Sequence, residues 1–200
     1  MKDEPLRPAD KGISQTSRAS ERFSYCKISW WNRIARAVWG LVRLALYRPT
    51  PSFMHPWRRV ILRLFGAKVG RGAHPYPSAR VWAPWNLTMG DHSCLGHDVD
   101  CYCVDHVEIG AHVTVSQYCF LCTASRDYNR PDLPLVTAPI KIGAGAWVAA
   151  DVYVGPGVVI GEGAVIGARS TVIDDVDSWA VVAGSPPRVV GKRSLEGISK

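Results

Sequence analysis

The sequence predicts an all-β solenoid, a parallel β-helix of six-residue repeats with an N-terminal helical arm. Three observations predict it. From Ile142 the chain divides without a slip into IGAGAW, VAADVY, VGPGVV, IGEGAV, IGARST and VIDDVD. The glycines crowd into the second half at regular spacing, and residues 28–48 carry a helical pattern instead. In the hexads the first position is always Ile or Val, the second is usually Gly, and the fifth is Ala, Val or Ser. A period of six fits neither a helical stripe nor a simple meander, which would show hairpin turn signals. It fits a flat-sided coil in which a branched aliphatic points inward, a small residue closes the corner and glycine relieves the turn. Three sides give a coil of about eighteen residues, with coils about 4.8 Å apart.

The elements follow in chain order. Residues 1–27 are polar and read as a disordered start. Residues 28–68 form the arm. Its first part, ISWWNRIARAVWGLVRLALYR, puts Arg33, Arg36 and Arg43 on one face and Trp31, Ile34, Val38, Leu41 and Ala45 on the other. Arg43 interrupts the apolar run, so the segment is too short to span a bilayer. It is either an interfacial helix on anionic lipid or a cap packing its apolar face on the open end of the solenoid. A Pro-rich turn and a second basic helix, WRRVILRLFGAKVG, lead into the coils at residues 69–185. There the register runs through VGRGAH, PYPSAR, MGDHSC, LGHDVD, IGAHVT and VSQYCF, with an irregular join near Cys101 to Val107. A loop at 122–141 leaves the frame, and a long excursion from a regular scaffold marks function. Residues 186–200 are a C-terminal tail.

The net charge of +7 and pI near 9.3 favour anionic partners. Much of the excess lies before residue 72, so arm and coils are expected to have separate partners. Nucleic acid is disfavoured: the solenoid offers no basic groove interleaved with aromatics, and the arm's tryptophans lie away from its arginines. No secretory signal pattern opens the chain, which leads to an expectation of the cytoplasm, with peripheral contact at the inner face of an anionic membrane where the arm is the interfacial helix rather than the cap. In that compartment Cys26, Cys94, Cys101, Cys103, Cys119 and Cys122 read as small buried hydrophobes rather than disulfides. The repeat frame turns Cys101 and Cys119 inward and leaves Cys103 and Cys122 elsewhere, so no metal site is expected. Of the histidines, His92 and His112 read as solvated, His55 and His74 as turn residues, and His106 as part of the irregular join.

The stretches WRRVILRLFGAKVGRGAH, PSARVWAPWNLTMGDHS, VSQYCFLCTASRDY, PLVTAPIKIGAGAWVAADVYVGPGVVIGEGAVIGARS and VVAGSPPRVV resemble the hexapeptide-repeat acyltransferases. Among them the chain is similar to the colanic-acid-biosynthesis type of O-acetyltransferase, a relative of galactoside and maltose acetyltransferases, over roughly residues 30–192. The resemblance implies a left-handed β-helix, a homotrimer with acetyl-CoA sites between subunits, and acetyl transfer to a sugar hydroxyl in exopolysaccharide biosynthesis.

That chemistry needs a base to take the hydroxyl proton and donors to hold the oxyanion, with no metal. The family's base is a histidine in a motif that reads like S-H-D-Y; the matching residues are Ser125, Arg126, Asp127 and Tyr128. Arginine stays protonated and has no acceptor nitrogen, so Arg126 is not that base. Three routes stay open. Asp127, or His97 at the place where galactoside acetyltransferases hold an acceptor-contacting asparagine, serves as base. Alternatively, Arg126 holds an anion while binding supplies much of the rate. In the third, the chain is an inactive scaffold or regulatory subunit of the same pathway. For acetyl-CoA the resemblance points to Trp147, Ala150, Ala168 and Arg188, with Lys192 replacing charge lost where a common lysine is Asp174.

Overall fold

A computed structural model describes residues 22–194; the expected polar start is outside the described residues as far as residue 21, and the tail from residue 195. The coils stack as three parallel sheets. The first face comprises Lys68–Val69, Leu87–Met89, Val107–Ile109, Ile140–Ile142 and Val159–Ile160. The second comprises His74–Pro75, Cys94–Leu95, Thr114–Val115, Trp147–Val148, Val165–Ile166 and Ala180–Gly184, closed by the antiparallel Pro187–Lys192. The third comprises Arg80–Val81, Asp100–Tyr102, Phe120–Cys122, Tyr153–Val154 and Thr171–Val172. First-position residues such as Leu95, Val115, Val148, Ile160 and Ile166 are fully buried, as the repeat requires. The second-position glycine has a steric reason: a Cβ on Gly90 would strike the backbone of Gly110 and Ala111 in the next coil.

Coil length differs from the eighteen expected. Thr88 pairs with Lys68 and Glu108, steps of twenty, whereas Val159 pairs with Lys141, a step of eighteen. The join near Cys101 to Val107 is therefore regular: the corner between third and first faces is widened by two residues in both early coils. Corner peptides lie outside the ladder and need local partners. Asn86 Nδ2 donates to the Cys103 and Val104 carbonyls, and buried Thr123 accepts from Asp105 N and donates to the Tyr102 carbonyl. The excursion leaves from this same corner one coil later. It is shorter than 122–141, since Cys122 still pairs with Tyr102 and Ile140 with Val107.

The excursion is a hairpin, Ala124–Arg126 against Leu135–Thr137, with Ser24–Tyr25 added as a third strand. Residues 22–25, expected within the disordered start, are thus seated. Arg22 also pairs with Asp175 at 2.8 Å and donates to the Gly157 carbonyl. The guanidinium's hydrogen bonds hold the Asp175 carboxyl below its ordinary range, aided by Val159 N. A depressed carboxylate stabilises the fold above its unfolded pKa and loses that contribution as pH falls through the folded value. Asp175→Asn is expected to cost under about 1 kcal/mol at pH 7, both partners being solvated. Urea unfolding of both proteins should show the gap close as pH falls below the ordinary carboxylate range; a gap that persists in acid would mean the effect is not ionic.

The arm is a cap, but it is turned over. Ser29 accepts from Asn32 N to start helix α1 (Trp30–Val42), which runs on through a π-turn at Arg43–Tyr47. A second helix, α2 (His55–Leu64), follows. A cap is expected to lay the face of Trp31, Val38 and Leu41 on the solenoid, yet these are exposed and the side with Arg36, Trp39, Arg43 and Tyr47 packs there. The open edge of the first coil is a row of unpaired carbonyls and calls for donors. Trp39 Nε1 donates to Val81 O, Tyr47 to Tyr76 O, Arg58 to Pro75 O, Arg59 to Ala73 O and Arg63 to Val69 O. The Arg36 guanidinium lies 4.1 Å over the Trp82 ring.

The cysteines need one correction. Cys101 and Cys119 are inward, but Cys103 and Cys122 are buried too. Cys103 Sγ accepts from Ala83 N and donates to the Ala83 carbonyl, and its nearness pushes the Cys101 thiol up, so these two side chains lie together rather than apart. All six are free thiols, and burial pushes Cys119 up to about 11. Among the described residues no three His, Cys, Asp or Glu side chains group to hold a metal.

Candidate functional site

The edge between second and third faces carries one file of residues through successive coils. Tyr118 N donates to the His97 carbonyl, Asp151 N to that of Gln117, and Arg169 N to that of Ala150. His97, Gln117, Ala150 and Ala168 therefore stack at equivalent corner positions. Each is followed by a residue in the left-handed region, Asp98, Tyr118, Asp151 or Arg169, with φ between 53° and 62°.

His97 lines an open groove of about 560 Å³ with Tyr76, Cys94, Ser116, Gln117 and Tyr118. Its ring lies 4.3 Å from that of Tyr76, and Nδ1 is 3.2 Å from Ser78 Oγ, which also accepts from Asp98 N. In the tautomer with Nδ1–H donating to Ser78, the other ring nitrogen offers a free lone pair. Trp147 lies on the second face with its indole N–H donating to Ser116 Oγ, and it is 47% exposed. Arg188 and Lys192 stand exposed on the closing strand of that face.

Arg126 and Asp127 lie elsewhere. They sit in the hairpin at the corner between third and first faces, so the third face separates them from His97 by about 20 Å, a six-residue side. Arg126 is exposed and donates to the Leu133 carbonyl. Asp127 accepts from the Tyr25 hydroxyl and from Asn129 N. One chain thus brings His97, Trp147, Ala150 and Ala168 to one edge and face, with Arg188 and Lys192 at its end, and holds Arg126 and Asp127 apart.

Several residues at these places were not singled out from sequence. Ser78 and Tyr76 orient His97, yet only coil stacking places them beside it. Tyr25 reaches Asp127 by a pairing more than a hundred residues apart in sequence. Trp82, Tyr102, Phe120 and Tyr153 form an aromatic ladder up the third face at ring separations of 5.4, 6.3 and 5.7 Å. They occupy two phases, Trp82 and Tyr102 in register with Cys122 and Phe120 in register with Tyr153 two residues earlier, so no single hexad position announces the ladder. Burial, then Cys122, pushes the Tyr153 hydroxyl up to about 12. Arg193 donates to the Gly145 and Gly163 carbonyls and clamps the end of the second face.

Comparison with known proteins matches the Bacterial transferase hexapeptide (six repeats) model over residues 139–174. The chain is 40% identical over 162 residues to the colanic acid biosynthesis acetyltransferase WcaF of Escherichia coli (strain K12), covering 81% of this chain and 89% of that protein. Two solved structures share the fold at lower identity. One is the hexapeptide-repeat acetyltransferase VCA0836 of Vibrio cholerae O1 biovar eltor, complexed with acetyl coenzyme A: TM-score 0.74, 22% identity, 90% of this chain and 98% of that one. The other is a galactoside acetyltransferase in complex with coenzyme A: TM-score 0.72, 23% identity, 90% and 92%. The repeat, its left-handed parallel β-helix and the near full-length match to WcaF lead to one assignment: the chain belongs to the hexapeptide-repeat acetyltransferases and is an acyltransferase.

Proposed function

We propose that this chain transfers an acetyl group from acetyl-CoA to a sugar hydroxyl in exopolysaccharide biosynthesis, as a homotrimer in the cytoplasm. The observation that carries the reading is the file of His97, Gln117, Ala150 and Ala168 along one open edge beside Trp147. The names of WcaF and of the galactoside acetyltransferase support acetyl transfer to a sugar and the exopolysaccharide setting. The residues present fit acetyl-CoA chemically. Small side chains at Ala150 and Ala168 leave the edge open to a thin chain, Trp147 offers an exposed indole, and Arg188 and Lys192 offer cations for phosphate.

Acetyl-CoA supplies an activated acyl carbon. His97 takes the proton of the acceptor hydroxyl as the oxygen forms its bond to that carbon, and the carbon–sulfur bond then breaks. The proton passes from the imidazolium to the departing thiolate, which leaves as free thiol. Tyr76 and Ser78 hold the ring in place. Arg126, a permanent cation on a hairpin, serves an anion on the acceptor or the oxyanion. Because the hairpin and the His97 edge are a full side apart, a site using both draws the hairpin from a neighbouring copy, which gives the trimer its purpose.

The test is thiol release from acetyl-CoA over a panel of sugar and nucleotide-sugar acceptors, with a no-acceptor control. Acceptor-dependent release is expected. Neither release nor acetyl-CoA binding would move the assignment to the scaffold that the missing loop histidine first suggested. In the same assay Arg126→Ala is expected to raise the acceptor KM about tenfold with smaller change in kcat. A strong gain for Arg126→His would instead make the hairpin the vacated base position. Arg188→Ala is expected to raise the KM for acetyl-CoA about 5–10-fold and leave the acceptor KM unchanged; a change in kcat alone would remove Arg188 from cosubstrate binding.

A further inference from the structure

Trp39, Tyr47, Ile61 and Leu62 pack inward, but the cap leaves a second apolar stripe on each helix facing away from the solenoid. On α1, Trp31 is 75% and Leu41 70% exposed, with Trp30 and Leu44 beside them. On α2 and the turn before it, Phe53 and Leu64 are each 79% exposed. The spacing is helical, so these are two continuous stripes rather than scattered residues. Among the described residues nothing covers them. The surrounding charge has one sign: from Arg22 to Gly90 the chain has twelve lysines and arginines and no aspartate or glutamate. Arg33 and Arg48 are exposed on and just after α1, and Lys68 and Arg71 on the first coil behind α2.

We propose that this outer face of the cap docks on an anionic lipid surface, the helices lying in the plane of the head groups. The occupant must supply negative charge and accept tryptophan, leucine and phenylalanine together, as an acidic bilayer surface does. A second copy meeting the face end to end would oppose cation to cation with no acid to pair them. A protein partner would need directed hydrogen bonds, about one per 100–200 Å². The cap's donors are instead committed inward, since Trp39, Tyr47, Arg58, Arg59 and Arg63 all bond to the first coil. What remains outside is apolar contact and diffuse positive charge, which suits a fluid surface. No described helix is long and apolar enough to cross a membrane, so the docking is peripheral. It places acetyl transfer beside lipid, where an acceptor carried on a lipid anchor would be within reach.

The experiment is co-sedimentation of the full chain with vesicles of phosphatidylglycerol and phosphatidylcholine, or of phosphatidylcholine alone, at low and high salt. The expected result is retention on the anionic vesicles that weakens with salt, with a blue shift of tryptophan emission. Trp31→Ser with Leu41→Ser should lower the partition coefficient at least roughly tenfold at unchanged melting temperature. Arg33→Glu with Arg48→Glu should abolish the preference for anionic vesicles. Equal retention of the serine variant, or no retention of the parent chain, overturns the proposal. A fall in oligomeric mass of that variant, without vesicle binding by the parent, assigns the face to a second copy. Capture by polyglutamate but not by vesicles assigns it to an acidic protein. Retention is read without acetyl-CoA or acceptor, so its failure leaves the acetyl-transfer reading standing.

Discussion

His97→Ala is expected to lower kcat for acetyl transfer by about 10²–10⁴, the range that a positioned general base contributes. The KM for acetyl-CoA should barely change, because the variant keeps Trp147, Ala150, Ala168 and Arg188. Ser78→Ala separates positioning from chemistry. It removes the partner of Nδ1 at 3.2 Å but leaves the ring, so it should cost far less than removing the ring. Steady-state kinetics on the best acceptor, with melting curves as a control on folding, reads both. A His97→Ala enzyme retaining more than about a third of parental kcat would remove His97 from the proton path. Asp127 would then be examined next, although its carboxylate already accepts from Tyr25 and Asn129 N.

The second large effect is on stability. Arg58 is fully buried with no carboxylate beside it, and its guanidinium is held by neutral groups alone. Nε donates to the Pro75 carbonyl at 2.7 Å, and Nη1 to Thr50 Oγ1 and the Pro51 carbonyl. Nη2 donates to the Ser52 carbonyl and lies 3.0 Å from His55 Nδ1. Burial lowers the Arg58 pKa, and the carbonyls compensate for the lost water. Arg58→Met keeps the volume and removes the donors from the buried Pro75 carbonyl and from the part-buried Pro51 and Ser52 carbonyls, so a loss of about 2–4 kcal/mol is expected by urea denaturation. Arg58→Lys should recover little, because one ammonium cannot span donors fixed in a planar fork. A loss below about 1 kcal/mol would mean that water replaces the guanidinium and that the cap is held by Trp39 and Tyr47 instead.

Much of the scaffold was legible because a solenoid writes its cross-section into the sequence. Leu95, Val115, Val148 and Ile166 announce an inward position at every turn, and hexad phase alone puts Ala150 and Ala168 on one edge. Phase also predicts the corner from which the hairpin leaves, once the two-residue widening at Pro84–Asn86 is recognised. What the sequence does not carry is direction and distant pairing. An amphipathic pattern in α1 names two faces without saying which turns inward; unpaired carbonyls on the first coil decide that. The union of Ser24–Tyr25 with Leu135–Thr137 is a strand addition with no local signal. Arg126 was legible as a departure from a family motif. Its distance from His97 followed only when the third face was seen to lie between them.

The two ends of the stack also bear on solubility. A β-helix is built by adding strands to an edge, so each uncovered end is a template on which another copy could continue the ladder. Here the starting edge is answered by side-chain donors from Trp39, Tyr47 and three arginines, and the finishing edge of the second face by Pro187–Lys192 folding back antiparallel onto Ala180–Gly184. A returning antiparallel strand cannot seed a parallel coil. The first coil and the second face at the finish are therefore closed to a further parallel strand, which removes two of the places where another copy could extend the stack.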